Sequence, residues 1–393
     1  MSTTNERPAL TVHEIRWADA LPWWLLFRAA GAAFAPTVIL LATLGAVATW
    51  AGWSAADAFG LRGVDRAADI IAAAQADELA FPAPAGGSAG AAGARRVLFD
   101  GWALLDRLPP DAADVVRLAR IPFRAGATLE QAIGAVIRLG WFLLVWSIFG
   151  TAISRHVALK LVGEEAPGLF AAIWYGTRKW PAAFNSVLFV LVGIAALSVP
   201  GAILGIAMRT EWGLAFAGGV WPAVLLGAVV LAILAIGVCV GWPLMVAAVG
   251  VERADSFQAI STAFSYLYQR PLHYAFYGLV ALLVAVPAVA AAALFADTTA
   301  NLALWATSFG MGSGRTAAVI QGLSGPSGGG GVADAWGVKA IAFWTRGVGT
   351  LLASFGWGYF WAIMTAAYVL LRRDVDGTEL DEVVLDEPGT EPA

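Results

Sequence analysis

The stretch WGLAFAGGVWPAVLLGAVVLAILAIGVCVGWPLMVAAVGV, residues 212–251, contains no charged side chain. A helix of about 20 largely apolar residues suffices to cross a bilayer, so this run predicts a membrane span. The whole chain agrees, because 59% of its 393 residues are apolar and only 13% are charged, whereas about 25% are charged in soluble domains. The composition therefore predicts an all-α integral membrane protein.

Six stretches are long and apolar enough to span a bilayer, namely 33–53, 132–154, 183–207, 220–248, 274–296 and 347–371. Lysine and arginine residues follow the second, fourth and sixth of these stretches, and they also occur in the leader. The positive-inside rule then predicts a multi-pass protein of the cell membrane with both termini on the cytoplasmic side.

The segments outside the spans have distinct compositions. The leader, residues 1–32, is predicted to carry a helix lying in the interface at 21–28. It is expected to stay uncleaved, because acidic residues stand where a signal peptide is basic; cleavage near 46–48 is the alternative. Residues 54–131 predict a small helical extracytoplasmic cap with a flexible linker at 82–94. Residues 297–346 form a Gly-rich extracytoplasmic segment that lies in the interface at 298–314, and 372–393 form an acidic cytoplasmic tail.

Two cytoplasmic loops share the pattern G-x-E-x(4)-F-x-A-I. The first copy consists of Gly163, Glu165, Phe170, Ala172 and Ile173, and the second of Gly250, Glu252, Phe257, Ala259 and Ile260. A proline follows the isoleucine by 27 residues in both copies, at Pro200 and Pro287. The pattern predicts a parallel internal repeat, 132–207 (spans 2–3) and 220–296 (spans 4–5), each with a cytoplasmic amphipathic helix before its second span. Chance agreement between two sequences rich in Ala and Gly is the alternative.

The two glutamates of this pattern stand just before the predicted amphipathic helices. A carboxylate at that place stabilises the positive end of the helix dipole, so Glu165 and Glu252 are expected to act as helix-capping residues. Contact with a substrate or partner is the alternative.

A family resemblance rests on residues of the second copy and of the tail. Pro243, Glu252, Phe257, Ala259, Ile260 and Ser265, followed by YLYQRP at 266–271, resemble a pattern in a group of uncharacterised bacterial membrane proteins. That pattern is broadly similar to the membrane domain attached to some glycerophosphodiester phosphodiesterases. The stretch YVLLRRDVDGTELDE at 368–382 resembles a closing motif of membrane proteins from planctomycete-type bacteria. The resemblance implies a membrane topology and no reaction, because the sequence has no counterpart of the phosphodiesterase catalytic domain.

Two motifs resemble catalytic or nucleotide-binding sites but lack their context. D-x-D-G-T at 374–378 is the nucleophile loop of haloacid-dehalogenase-type phosphatases, yet only 15 residues and no lysine follow it. FGMGSGRT at 309–316 lacks the strand and the Gly-Lys-Ser/Thr ending of a phosphate loop. Both are therefore predicted to be non-catalytic.

Other patterns predict packing or interfacial positions. Gly201 with Gly205, and Gly237 with Gly241, have the small-residue spacing of close helix contacts. His156 and His273 border spans and are expected at the interface. The single cysteine, Cys239, excludes a cysteine-based metal cluster.

The central thirds of the predicted spans contain no Asp, Glu, Lys, Arg or His, which ion-coupled transporters usually need. No catalytic set, cofactor or metal site is predicted, and no basic tract favours nucleic acid. The sequence predicts a non-catalytic protein that acts through protein or lipid contacts, as a scaffold or in membrane homeostasis. Its expected partners are membrane lipids and a protein at the amphipathic helices or the acidic tail. The alternative is a permease for an apolar or lipid-like molecule, with a cavity between the two repeats.

Overall fold

The computed structural model describes residues 21–60, 112–121, 128–324 and 336–378. These ranges hold nine α-helices and no strand. In chain order the helices are α1 (Trp24–Ala33), α2 (Pro36–Ala58), α3 (Ala112–Arg120), α4 (Leu129–Val162), α5 (Leu169–Ala207), α6 (Glu211–Glu252), α7 (Ser256–Gln269), α8 (Pro271–Ser324) and α9 (Trp336–Asp376). Most of the predicted leader, extracytoplasmic cap and acidic tail lies outside the described residues.

Six of these helices are long and apolar enough to cross a membrane, namely α2, α4, α5, α6, α8 and α9. This confirms the predicted all-α membrane fold with six spans. The helices begin and end where the local sequence dictates. A capping box of Thr128 and Gln131 starts α4, and Gly163, with a φ of 85°, ends it in the left-handed conformation that glycine adopts without strain.

The predicted Gly-rich segment 297–346 is helical wherever the structure describes it. Helix α8 continues to Ser324 and leaves helical geometry only at Gly312, where φ is 73° and ψ is 162°. Helix α9 already begins at Trp336. Residues 298–311 include three Ala and two Leu, which favour helix. The glycines of this segment therefore do not end the helix, although Gly312 introduces a kink.

Helix α1 corresponds to the predicted interfacial helix at 21–28; one of its faces is buried against the bundle, Trp24 and Phe27 are exposed on the other, and its place in the membrane interface remains a prediction. Six of its ten residues are buried, and it packs against α9, α4 and α8. The Arg28 side chain donates a hydrogen bond to the carbonyl oxygen of Leu161, at the end of α4 (2.7 Å). Its small residues, mainly alanine, allow this close packing.

One end of the bundle is tightly packed, and we call it the base: α1, residues 142–179 (the end of α4 and the start of α5), residues 241–270 (the end of α6 and α7) and residues 354–376 of α9. Glycines permit close helix contacts there. A Cβ atom at Gly150 would lie 2.8 Å from the Trp361 ring, and one at Gly250 would lie 2.6 Å from Ser154 Cβ. The base therefore holds the core of the protein.

Away from the base, α5 pairs with α6 and α8 pairs with α9, and most side chains are exposed. We call residues 191–236 the α5–α6 arm. Apart from Ser198 and the turn residues Arg209, Thr210 and Glu211, its exposed side chains are apolar, as expected for surface facing hydrocarbon. Gly201 and Gly205, on this arm, have no atom within 4 Å of a Cβ position, so they make no predicted helix contact within the described residues. Gly237 and Gly241 do, against Phe264 and Leu267 of α7.

Candidate functional site

The base contains the repeated motif and most of the polar contacts between helices, so we describe it as the candidate site. The two motif glycines have different structural roles. Gly163 ends α4 in the left-handed conformation, whereas Gly250 lies inside α6, packed on Ser154. Arg253 ends α6 instead, with a φ of 60°. The two copies therefore end their first helix at different motif positions.

The F-x-A-I portion has the same burial in both copies. Phe170 and Phe257 are exposed, Ala172 and Ala259 are fully buried, and Ile173 and Ile260 are partly buried against the core. Pro200 and Pro287 both lie inside helices, with exposed side chains. These similarities agree with a repeat, and the superposition of the two units remains a prediction.

The helix before the second span differs between the copies. In the first copy it is continuous with the span, and Pro181 lies inside α5. In the second copy α7 ends at Gln269, Arg270 leaves helical geometry (φ −130°, ψ 52°), and Pro271 begins α8. The residue before a proline disfavours helical geometry, which explains the break at Arg270. Helix α7 packs back along α6 rather than projecting from the bundle.

Glu252 binds two groups of α9. Arg372 Nε lies 2.9 Å from Glu252 Oε1, and the Tyr368 hydroxyl donates to the same oxygen at 2.7 Å. Both ionic side chains are only 13% exposed, so this pair is shielded from water and less screened than a surface pair. The predicted capping role is wrong for Glu252, because Asp255 caps α7 by accepting from the Gln258 backbone N–H (2.8 Å). Glu165, its counterpart, is exposed, and α5 starts without a side-chain cap.

The two aspartates of the D-x-D-G-T motif each accept a hydrogen bond from a tyrosine. Tyr277 donates to Asp374 (2.6 Å), and Tyr266 donates to Asp376. Burial, and then the hydrogen bond to Asp376, raise the pKa of Tyr266 above its usual range. These contacts fasten the end of α9 to α8 and α7, which is a structural role for the motif.

Carbonyl groups at the end of α6 are bound by side chains from neighbouring helices. Tyr175 donates to the Val249 oxygen (2.7 Å), and Lys179 donates to the Arg253 oxygen (3.3 Å). Arg155 lies over the Tyr175 ring, with Nη1 3.5 Å from the Val251 oxygen. Cationic groups favour the negative end of a helix dipole, so these contacts stabilise the end of α6.

His156 is buried inside the protein, near the end of α4, and its expected position at the membrane interface remains a prediction. Its Nδ1 lies 2.9 Å from the Pro167 carbonyl oxygen. Span 2 was predicted to end at residue 154, whereas α4 continues to Val162, so His156 lies within this helix. His273 is exposed, at the start of α8.

Aromatic rings fill the space between the helices above this polar layer. Trp146 stacks on Trp357 with ring centroids 4.3 Å apart, and Trp361 lies edge-on to Trp242 at 5.3 Å. Phe142 contacts three of these tryptophans. Trp146 and Trp361 are completely buried. The cluster joins α4, α6 and α9 in one aromatic layer.

Comparisons with protein-family models, curated proteins and solved structures gave no match. The assignment of a role therefore rests on the geometry of the base. Among the described residues, no group of three or more His, Cys, Asp or Glu side chains is arranged to hold a metal ion.

Sequence reasoning missed Arg372, Tyr368 and Arg155 as polar partners inside the base. The sequence contains one signal that points to Arg372 and Tyr368. The positive-inside topology places the end of span 6 on the same side as Glu252, and Tyr368 lies one helical turn before Arg372. An acid and a base that reach the same membrane face from two spans are candidates for pairing.

Proposed function

We propose that the protein is a non-catalytic membrane scaffold of the cell membrane, which acts through contacts with a protein partner and with lipids. The aromatic layer of Trp146, Trp242, Trp357 and Trp361 carries this proposal. These large rings, three of them buried, lie between α4 and α6, one helix from each repeat unit, and α9, so they fill part of the space in which the permease alternative needs a cavity. A packed interior of this kind resists compression and transmits strain, as suits a rigid support.

The base faces the cytoplasm in this proposal. The base carries Arg28, Lys160, Arg178, Lys179, Arg253, Arg270, Arg372 and Arg373, whereas the connection between α5 and α6 has only Arg209. Short basic loops stay on the cytoplasmic side during insertion, so this asymmetry favours a cytoplasmic base.

The surface offered to a partner consists of three aromatic side chains at the base, Phe170, Trp174 and Phe257. They are 85%, 66% and 70% exposed. The Phe257 ring stacks on Phe189 of α5 at a centroid distance of 5.1 Å, which holds it in place. Exposed aromatic side chains on rigid helices are typical anchors of protein interfaces.

Site-specific photo-crosslinking in cells tests this proposal. A photoreactive residue at Trp174 should give a discrete protein adduct, which Phe170→Ala and Phe257→Ala should weaken. The matched control is Leu226, similarly exposed (71%) but on the α5–α6 arm, where only lipid adducts are expected. Lipid adducts alone at Trp174 would contradict the protein contact.

The permease alternative is tested separately in reconstituted vesicles. A scaffold should leave the movement of a fluorescent phospholipid analogue between leaflets at the rate of protein-free vesicles. Acceleration by the unmodified protein, increased further by Trp361→Ala, would favour the permease, because that substitution opens the aromatic layer.

A further inference from the structure

A groove of about 390 Å³ opens at the base between the starts of α1 and α8 and the end of α9. Its walls include Trp23, Leu272, His273, Phe276, Tyr277 and Asp374. It therefore combines one carboxylate, one imidazole and three aromatic rings in a small space.

A hydrogen bond fixes the position of the Asp374 carboxylate in this groove. The buried Tyr277 donates its hydroxyl hydrogen to Asp374 Oδ2 at 2.6 Å. The second oxygen, Oδ1, has no hydrogen-bond or ion-pair partner among the described residues. A fixed carboxylate with one unused oxygen is suited to accept a hydrogen bond from a cation.

The aromatic walls favour the same kind of ligand. The rings of Trp23, Phe276 and Tyr277 line the groove, and an ammonium group is attracted to the face of an aromatic ring. A primary ammonium also has three N–H donors, of which one can reach Asp374, whereas the quaternary ammonium of choline has none. The groove thus favours a primary amine.

The groove lies where the surface of α8 changes from polar to apolar. Arg270 immediately precedes this helix, and Leu272, Phe276, Leu279 and Leu283 follow along it with exposed side chains. Such a boundary is where phospholipid headgroups lie, with acyl chains beside the apolar residues. This position favours a lipid over a water-soluble amine.

We propose that the groove binds the headgroup of phosphatidylethanolamine, with its ammonium at Asp374 and its phosphate at His273. The acyl chains lie along the exposed apolar surface of α8. The proposal deepens the lipid contacts of the proposed function and rests on its membrane placement. It does not involve the aromatic surface of Phe170, Trp174 and Phe257. The crosslinking experiment can therefore fail while the lipid proposal holds, and the lipid proposal can fail while the crosslinking experiment succeeds.

Lipid retention tests the proposal directly. The full-length protein is reconstituted with equal amounts of phosphatidylethanolamine, phosphatidylcholine and phosphatidylglycerol of identical acyl chains, extracted into detergent, and examined by native mass spectrometry. Phosphatidylethanolamine should be retained preferentially. Asp374→Asn should lower its occupancy about fivefold, as expected for loss of a partly exposed charge contact.

Asp376→Asn is the matched control, because Asp376 binds Tyr266 and does not line the groove; its lipid retention should equal that of the unmodified protein. His273→Ala, at an exposed position, provides a second variant in case Asp374→Asn unfolds, and it should also lower phosphatidylethanolamine occupancy without changing thermal stability.

Three results would overturn the proposal. The first is equal retention of phosphatidylethanolamine and phosphatidylglycerol by the unmodified protein, and the second is retention unaffected by both groove variants. The third is saturable binding of soluble O-phosphoethanolamine by a protein that retains no phosphatidylethanolamine, which would assign the groove to a water-soluble amine.

Discussion

Arg372, in the last turn but one of α9, lies 2.9 Å from Glu252, the last residue of α6. The Tyr368 hydroxyl binds the same carboxylate at 2.7 Å. One side chain thus joins the ends of two spans that are far apart in the sequence. Because the pair is largely shielded from water, the loss of one partner leaves the other charged group poorly solvated.

Substitution of Glu252 should therefore destabilise the protein more than substitution of its repeat counterpart. Glu252→Ala removes the carboxylate that Arg372 and Tyr368 bind, at a cost of about 1–3 kcal/mol. Glu165→Ala removes an exposed side chain and should change stability by less than about 0.5 kcal/mol. Thermal unfolding in detergent measures both. Equal melting temperatures for the two variants would show that the pair does not stabilise the base.

The aromatic layer predicts a large difference between two substitutions of Trp361. Trp361→Ala leaves a cavity between α4, α6 and α9 and should cost about 3–5 kcal/mol. Trp361→Phe should cost much less, because it keeps a ring and removes an indole N–H that has no partner within the described residues. Denaturant unfolding of the purified variants distinguishes them. A phenylalanine variant as unstable as the alanine variant would place the stabilisation in the indole N–H.

Glycine substitutions should separate the base from the α5–α6 arm. Gly250→Ala places its Cβ 2.6 Å from Ser154 Cβ and must push α6 from α4, at a cost of about 1–3 kcal/mol. Gly205→Ala meets no atom within 4 Å, so it should be neutral or slightly stabilising. Melting temperatures of both variants provide the measurement. A loss of stability at Gly205 would instead reveal a contact between copies through this arm.

The proposed orientation can be tested with single cysteines in a Cys239→Ser background. Gly86→Cys lies in the predicted extracytoplasmic segment and Thr390→Cys in the predicted cytoplasmic tail. A membrane-impermeant maleimide added to intact cells should label only the first, and permeabilisation should be needed for the second. Labelling of both from outside would contradict the six-span topology, and labelling of Thr390→Cys alone would reverse the orientation of the base.

The number and positions of the spans were predictable because hydrocarbon imposes a strong and local requirement for apolar residues. The lengths of the helices were less predictable. Pro181 and Pro271 occupy similar places in the two copies, yet the first lies within a continuous helix and the second begins one. Local sequence favours a break before either proline, so the surrounding packing decides which helix continues.

The polar contacts of the base were predictable only in part. Glu252 was identified from the repeated pattern, but its partners lie on α9, and a single sequence does not show which distant residues meet. Its predicted role as a cap was reasonable for a carboxylate near a helix start. The nearby Asp255 fulfils that role instead, because it directly precedes α7 and reaches the Gln258 N–H.

Helix α9 has the least apolar and the most buried spanning window of the six. A helix with so few apolar residues gains less free energy from lipid, and we expect it to be held in the bilayer by packing against the neighbouring helices. Because it follows the other five spans in the sequence, we expect those spans to enter the bilayer first, before α9 packs against Trp146 and Glu252. We therefore expect biogenesis to include a late step, in which the final span completes the packed bundle.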